Sequence, residues 1–235
     1  LCEKPAAGSI DDVDAMIAAR DKAKLPVVIG YQDVYDVTTA PAKQQLLDGV
    51  IGKVERATVF ACWPRNANYY SRNNWAGKIK VGDTWVLDCP ANNALAHYIN
   101  IPLFLLGTDM HSSGQIVSVE AEQYRVNDIE YCDTMAMRMT LANGVVLLVH
   151  FTHAAEETIM PEVVIHGSKG VMRRSNERIS VTVDGNETVS KREVDQRITM
   201  IEQFARLVRG TKDAGLPVAS LEVARSQTVA INGGA

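Results

Sequence analysis

Hydrophobic and polar positions change their period several times along the 235 residues of this chain. In the segment after Ser9, Ile10, Val13, Ile17 and Ala18 fall near one stripe, which predicts a helix through DDVDAMIAARDKAK. Ser9 suits its N-cap, and Asp11, Asp12 and Asp14 sit at the positive end of its dipole. Pro26 stops that helix, and PVVIGYQ (26–32) reads as a short buried strand closing on Gly30. A helix, turn and strand in this order look like the tail of a βαβ series.

The spacing next predicts a helix over 40–54 with an exit at Gly49, then a strand over 54–63. The loop PRNANYYSRNNWAGKIKVGD (64–83) holds too many Tyr, Trp, Arg and Asn residues for a plain linker, and loops of this length are usually functional. NNALAHYINIPLFLLG (92–107) reads as an apolar helix ending at Gly107, with a kink at Pro102. Period-two alternation dominates thereafter. Strands are expected over 116–126, 133–141, 145–153, 163–167, 171–174 and 178–183, with Asn143-Gly144 as a hairpin turn. Met135, Met137, Met139 and Leu141 share one face. Two helices close the chain, 192–210 and 220–232, the first expected to turn Ile198, Ile201, Phe204, Ala205 and Val208 inward and to end at Gly210. The fold class is α+β: an open, mainly antiparallel β-sheet with helices on one face, preceded by a short helix–strand unit.

Composition is that of an ordinary globular protein, 46% hydrophobic and 22% charged. A net charge of −4 argues against a nucleic-acid partner, and no apolar run approaches a membrane span. Cys2, Cys62, Cys89 and Cys132 are far apart and unpaired by motif, so they read as reduced thiols of a cytoplasmic protein. There is no GxGxxG, P-loop, HExxH or GxSxG.

Three polar residues, Asn93, His97 and Asn100, share one stripe of the predicted apolar helix. His97 fits two readings there, a satisfied core histidine or a general base working near neutral pH. His150 and His153 are three apart on a strand and point to opposite faces, which disfavours a metal pair; no metal site is expected. His153, ending the strand, is the better candidate of the two. Taken by its neighbours alone, Lys4 reads as a solvated lysine, although Pro5 biases it to an extended backbone.

LCEKPAA, the helix after it and PVVIGYQ together resemble the Gfo/Idh/MocA family of NAD(P)-dependent oxidoreductases. The resemblance continues through LLDGVIGKV, the segment bearing His97, ANGVV, VIHGSKGVM, the helix at 193–209 and SLEVARSQTVAIN. It implies that residues 1–32 are a remnant of a dinucleotide-binding Rossmann domain and that 33–235 form a substrate-binding and oligomerisation domain. It implies NAD or NADP as cofactor, with Glu3, Lys4, Pro5 and Gln32 on the cofactor side. Lys4 would lie beside the nicotinamide, and His97 would take the hydroxyl proton as hydride leaves. The substrate implied is a carbohydrate or polyol, with Asn92, Asn93 and Asn100 contacting hydroxyls. Trp63, Arg65, Tyr69, Tyr70, Arg72 and Trp75 would line the rim, and His153, placed by its position at the strand end, is a further substrate-side candidate. A homo-oligomer through the open sheet face is expected.

This chain departs from the family pattern in three ways. Asn93 and Asn100 stand where acids are common. GYQDVYD lacks the basic residue that often follows the Gly-aromatic-polar triplet. The Gly-rich phosphate loop, which would precede EKP, is not in these residues. The chain is therefore expected to be inactive alone and its LCEKP end to be mobile. Two other readings stand beside the oxidoreductase: a non-catalytic binding or oligomerisation module, and a redox-assisted glycosidase of the same family.

Overall fold

The computed structural model describes residues 1–211 and 216–235. Helix α1 (Ile10–Ala23) starts at Ser9, whose hydroxyl accepts from the Asp12 backbone N–H, and ends at Lys24 in the left-handed region, φ 54°. The expected strand at 26–32 shrinks to a single parallel bridge between Cys2 and Ile29, after which Gln32–Tyr35 winds into a 3₁₀ turn. Helix α2 (Thr39–Leu47) follows, stopping ahead of Gly49 at φ 72°.

The main sheet begins with β1 (Val54–Cys62). The long polar loop then folds a one-turn helix α3 (Ala67–Tyr70) and a two-residue hairpin, β2 (Lys80–Val81) with β3 (Thr84–Trp85). The helix expected over 92–107 is broken. Pro90–Asn92 forms a 3₁₀ turn, and α4 (His97–Leu105) opens only at His97. His97 therefore sits at the N-terminus of α4, not in mid-helix, and Asn93 lies outside it with φ −126° and ψ −100°.

Strands β4 (Ile116–Tyr124), β5 (Thr134–Leu141), β6 (Val146–Thr152), β7 (Ile159–Gly167), β8 (Gly170–Arg174), β9 (Arg178–Val183) and β10 (Asn186–Lys191) complete the sheet. Its order is β10-β9-β8-β7-β1-β6-β5-β4, antiparallel except for the β1–β6 pair. The last strand was not expected from the alternation, since all its residues are exposed. It forms because Asp184 and Gly185, at φ 49° and 78°, make the double positive-φ turn that closes a two-residue hairpin.

One sheet face is covered. Ala57, Val59 and Ala61, the Met135, Met137, Met139 and Leu141 row, and Leu147, Val149 and Phe151 are buried against α4 and α6 (Leu221–Gly234). Burying each large side chain contributes about 1.5–3 kcal/mol. Gly233 permits the close approach of α6 to β4, for a Cβ there would lie 2.8 Å from Val119 Cγ2. Helix α1 is clamped to α6 by Arg20–Glu222 at 2.6 Å and Arg225–Asp14 at 2.6 Å.

Helix α5 (Gln196–Val208) corrects an expectation. Its apolar stripe exists, but only part of it is covered: Phe204 and Ala205 are half-buried and Met200 is buried, while Ile198, Ile201 and Val208 are exposed. Periodicity finds a stripe; it does not say whether a neighbour covers it. Among the described residues no helix is long and apolar enough to cross a membrane.

Candidate functional site

The N-terminal residues are held rather than loose. The Cys2 N–H donates to the Val28 carbonyl at 3.0 Å, and the Gly30 N–H donates to the Cys2 carbonyl at 2.7 Å. Two parallel segments thus run side by side, and Glu3-Lys4-Pro5 and Tyr31-Gln32 emerge from their carboxyl ends. The Lys4–Pro5 bond is cis. From this ledge Lys4 Nζ donates to the Asn93 carbonyl at 2.6 Å. Burial holds the ammonium below the usual lysine range, against the attraction of Glu3 and Asp88.

Asn93 is the hub of this corner. Its Nδ2 donates to Asp88 Oδ1 at 2.8 Å and approaches the Tyr69 hydroxyl at 3.0 Å. The buried Asp88 also accepts from the Gly77 N–H at 2.6 Å. Burial raises the Asp88 pKa, opposed by those two bonds and by Arg72 and Lys4.

Four residues beyond Asn93, His97 faces the 3₁₀ turn. Its Nδ1 lies 3.2 Å from Asp33 Oδ2, in ion-pair range but without hydrogen-bond alignment, and its ring meets the Tyr31 ring edge-on at 5.6 Å. Asp33 is gripped from the other side by Arg174 Nη2 at 2.6 Å, and Arg192 stands 3.9 Å away while bonding Asp36 at 2.6 Å. Burial alone would raise the Asp33 pKa. Arg174 and His97 outweigh it and hold the carboxyl well below the usual range.

The loop after β1 builds a stack of rings and cations. Arg72 Cζ lies 3.5 Å over the Tyr69 ring, Arg65 Cζ lies 4.7 Å from it, and Trp75 is 5.1 Å from Arg72. Tyr70 meets Tyr69 edge-on at 5.2 Å, and Trp63 meets Tyr98 likewise at 6.2 Å. His153, 6.1 Å from Tyr69, is buried with Nδ1 2.7 Å from the Trp63 carbonyl; burial pushes its pKa down to about 4, though that bond opposes the shift.

The structure thus joins Lys4, Asn93, Tyr69 and Asp88 directly, brings Arg65, Arg72, Tyr70, Trp75 and His153 around Tyr69, and sets His97 on the adjoining turn. It turns Asn92 and Asn100 inward instead. Asn92 bonds the Val86 carbonyl and Gln227, and Asn100, 1% exposed, donates to the Val223 carbonyl. The break before α4 takes Asn93 off the helix, while Asn100 stays on α4 and meets the backbone of α6.

Asp33, Asp88 and Arg174 escaped the sequence reading. A signal existed for two of them. Asp33 interrupts the buried run Tyr31, Val34, Tyr35, and alternation in β8 puts Arg174 on the same side as Met172, facing the core. Among the described residues no group of three His, Cys, Asp or Glu could hold a metal.

Glu3, Lys4, Pro5 and Gln32 stand where open α/β sheets bind ligands, beyond the carboxyl ends of parallel segments. They fit the nicotinamide end of a dinucleotide. For the pyrophosphate these residues offer no glycine-rich turn.

In fold the chain is similar to three dinucleotide-bound structures. An inositol dehydrogenase homolog from Azotobacter vinelandii, complexed with NAD+, aligns with a TM-score of 0.83 at 13% identity over 99% of this chain and 68% of that one. The WlbA dehydrogenase from Bordetella pertussis, in complex with NADH and UDP-GlcNAcA, aligns at 0.76 with 21% identity over 98% and 66%. An oxidoreductase from Agrobacterium radiobacter, in complex with NAD+, L-tartaric acid and magnesium, aligns at 0.73 with 18% identity over 99% and 68%. The chain therefore spans about two thirds of the length of these structures. No curated protein matches its sequence. The GFO/IDH/MocA C-terminal domain matches residues 39–173, more than half of the chain, and the chain belongs to the Gfo/Idh/MocA family.

Proposed function

We propose that this chain carries the substrate site and catalytic groups of an NAD(P)-dependent oxidoreductase acting on a sugar or polyol hydroxyl. The observation that carries this reading is the Lys4 Nζ–Asn93 contact, which fixes a partly desolvated ammonium at the segment leading into His97. A bound nicotinamide supplies the hydride acceptor. Lys4 donates to the substrate oxygen and orients it. His97, at the start of α4, accepts the proton that the hydroxyl releases as its carbon gives up hydride. Tyr69, with Arg65 and Arg72 against its ring, and Trp75 at the rim offer faces on which a sugar ring stacks. The sugar-nucleotide ligand of the WlbA structure supports a carbohydrate substrate.

Joining a dinucleotide-binding Rossmann domain ahead of Leu1, checking NADH or NADPH binding by nicotinamide fluorescence and then assaying NAD(P)+ reduction with a panel of sugars and polyols, tests this. Activity is expected to disappear in both Lys4→Ala and His97→Ala while circular dichroism stays unchanged. Full activity in both variants would overturn the assignment.

Phe60, Ile159 and Met160 are exposed on or beside the outer face of the sheet, opposite the one buried against α4 and α6. We propose a second copy of the chain as its occupant, in a self-complementary interface.

A further inference from the structure

The geometry points to Asp33 as the positioning residue for His97: it fixes the imidazole with its proton on Nδ1 and leaves the Nε2 lone pair facing solvent. This rests on His97 acting as the proton acceptor.

Asp33 Oδ2 and His97 Nδ1 are 3.2 Å apart, close enough for the carboxylate to set which form of the ring faces it, and among the described residues no acceptor is aligned to bond that nitrogen. An ionised carboxylate only accepts, so the neutral ring satisfies this contact only with Nδ1 protonated. The Nδ1 atom is buried, whereas the His97 side chain keeps 11% exposure. Nε2 makes no hydrogen bond among the described residues, yet it is not among the buried unpartnered atoms. Solvent therefore reaches the ring from the Nε2 side, where a substrate hydroxyl would deliver its proton.

Asp33 cannot swing away from this task. Its other oxygen is fixed by Arg174 at 2.6 Å, and Arg174 is itself 2% exposed. Beside it Arg192 stands 3.9 Å from Asp33 Oδ1 and pairs with Asp36 at 2.6 Å. Tyr31 stands edge-on to the imidazole and blocks rotation of the ring on that side. When His97 takes a proton on Nε2, the positive charge that appears lies beside the Asp33 carboxylate, the arrangement by which an acid–histidine pair supports a general base.

Replacing Asp33 by Asn gives a sharp outcome. The Asn carbonyl is the only group that can accept from Arg174, so its NH2 turns to His97 and Nδ1 becomes an acceptor. The proton then moves to Nε2, and the base is blocked.

The test uses the full chain labelled with ¹⁵N-histidine. Two-bond ¹H–¹⁵N correlations are recorded at a pH where the ring is neutral, and the His97 signals are identified by their loss in His97→Gln. The wild-type ring is expected as the Nδ1–H tautomer, Asp33→Asn as Nε2–H, and Asp36→Asn as Nδ1–H. An Nε2–H ring in the wild type would overturn the proposal whether or not Asp33→Asn folds. So would an unchanged tautomer in a folded Asp33→Asn, or an equal flip in Asp36→Asn. Because the readout is the ring and not turnover, absence of dehydrogenase activity would sink the functional reading while leaving this assignment standing. Where turnover is measurable, Asp33→Asn should lower kcat by roughly 100-fold or more with little change in KM.

Discussion

Lys4 and Asn93 are separated by 89 positions in sequence and by 2.6 Å in space, the lysine ammonium donating to the asparagine backbone carbonyl. The same asparagine binds Asp88 and Tyr69 through its side-chain amide. One residue thus ties the cofactor-side ledge, the aromatic loop and the approach to α4 into a single corner.

Lys4→Met keeps the length of the side chain and removes its charge. In the chain joined to a dinucleotide-binding domain, sugar- or polyol-dependent NAD(P)+ reduction should fall by about 100-fold or more. The urea midpoint should move little, because the Asn93 carbonyl is only partly buried and can bond water instead.

Arg174→Met tests the buried cluster. It leaves Asp33 without its nearest counter-charge inside the fold, and breaking such a pair costs about 3–5 kcal/mol. Urea unfolding at neutral pH should show that loss. A destabilisation below about 1 kcal/mol would contradict the reading of Asp33 as an ionised buried carboxylate.

Stability should also depend on pH through His153. Burial holds its pKa at about 4 against the ordinary 6.5. The unfolded chain therefore takes up the proton first on acidification. The contribution of the neutral buried ring is full above about pH 6.5 and is lost as pH falls toward 4, by roughly 3 kcal/mol. His153→Asn retains a donor for the Trp63 carbonyl and removes the titration. Its midpoint should fall less steeply between pH 6.5 and 4.5 than that of the wild type.

Lys43 lies wholly buried, with Nζ donating to the Ser112 carbonyl at 2.5 Å and sitting 3.6 Å from the centroid of Phe104. Burial lowers its pKa to about 8, only partly opposed by Asp109. Lys43→Met, which fills the space without a charge, should change stability at pH 7 by less than about 1.5 kcal/mol. Lys43→Ala leaves a cavity and should cost about 2–5 kcal/mol. Thermal melts of the three proteins compare them.

Phe60→Arg places a charge on the outer sheet face at a residue 48% exposed in the single chain. Light scattering should show a dimer becoming a monomer, with the circular dichroism spectrum intact. An unchanged oligomer would remove the sheet face as the interface.

Much of this fold was legible residue by residue. Ser9 capped α1, Asn143-Gly144 turned the β5–β6 hairpin, and the Met135, Met137, Met139 row faced the core as its alternation required. Those signals are local, since a cap, a turn and a period each depend on a few neighbouring residues. The stretch around His97 failed because apolar composition continued through 92–107 while the backbone broke at Asn93. Within the site, His97 and Lys4 stood out by residue type and family resemblance. Asp33 did not, because an acid in a turn is ordinary until its neighbours are known.

The sequence by itself determined the α+β class, the strand-rich second half and the family, and it singled out Lys4 and His97 as candidates, since each is written in short-range pattern or motif. Tertiary structure decided that Asn93 meets Lys4 while Asn92 and Asn100 turn away. It also decided that Ile198, Ile201 and Val208 of α5 stay exposed, and that Asp33 joins His97 to Arg174, a residue 141 positions beyond Asp33. Packing brings together residues distant in sequence, and burial then turns ordinary charges into partners that cannot separate without an electrostatic penalty.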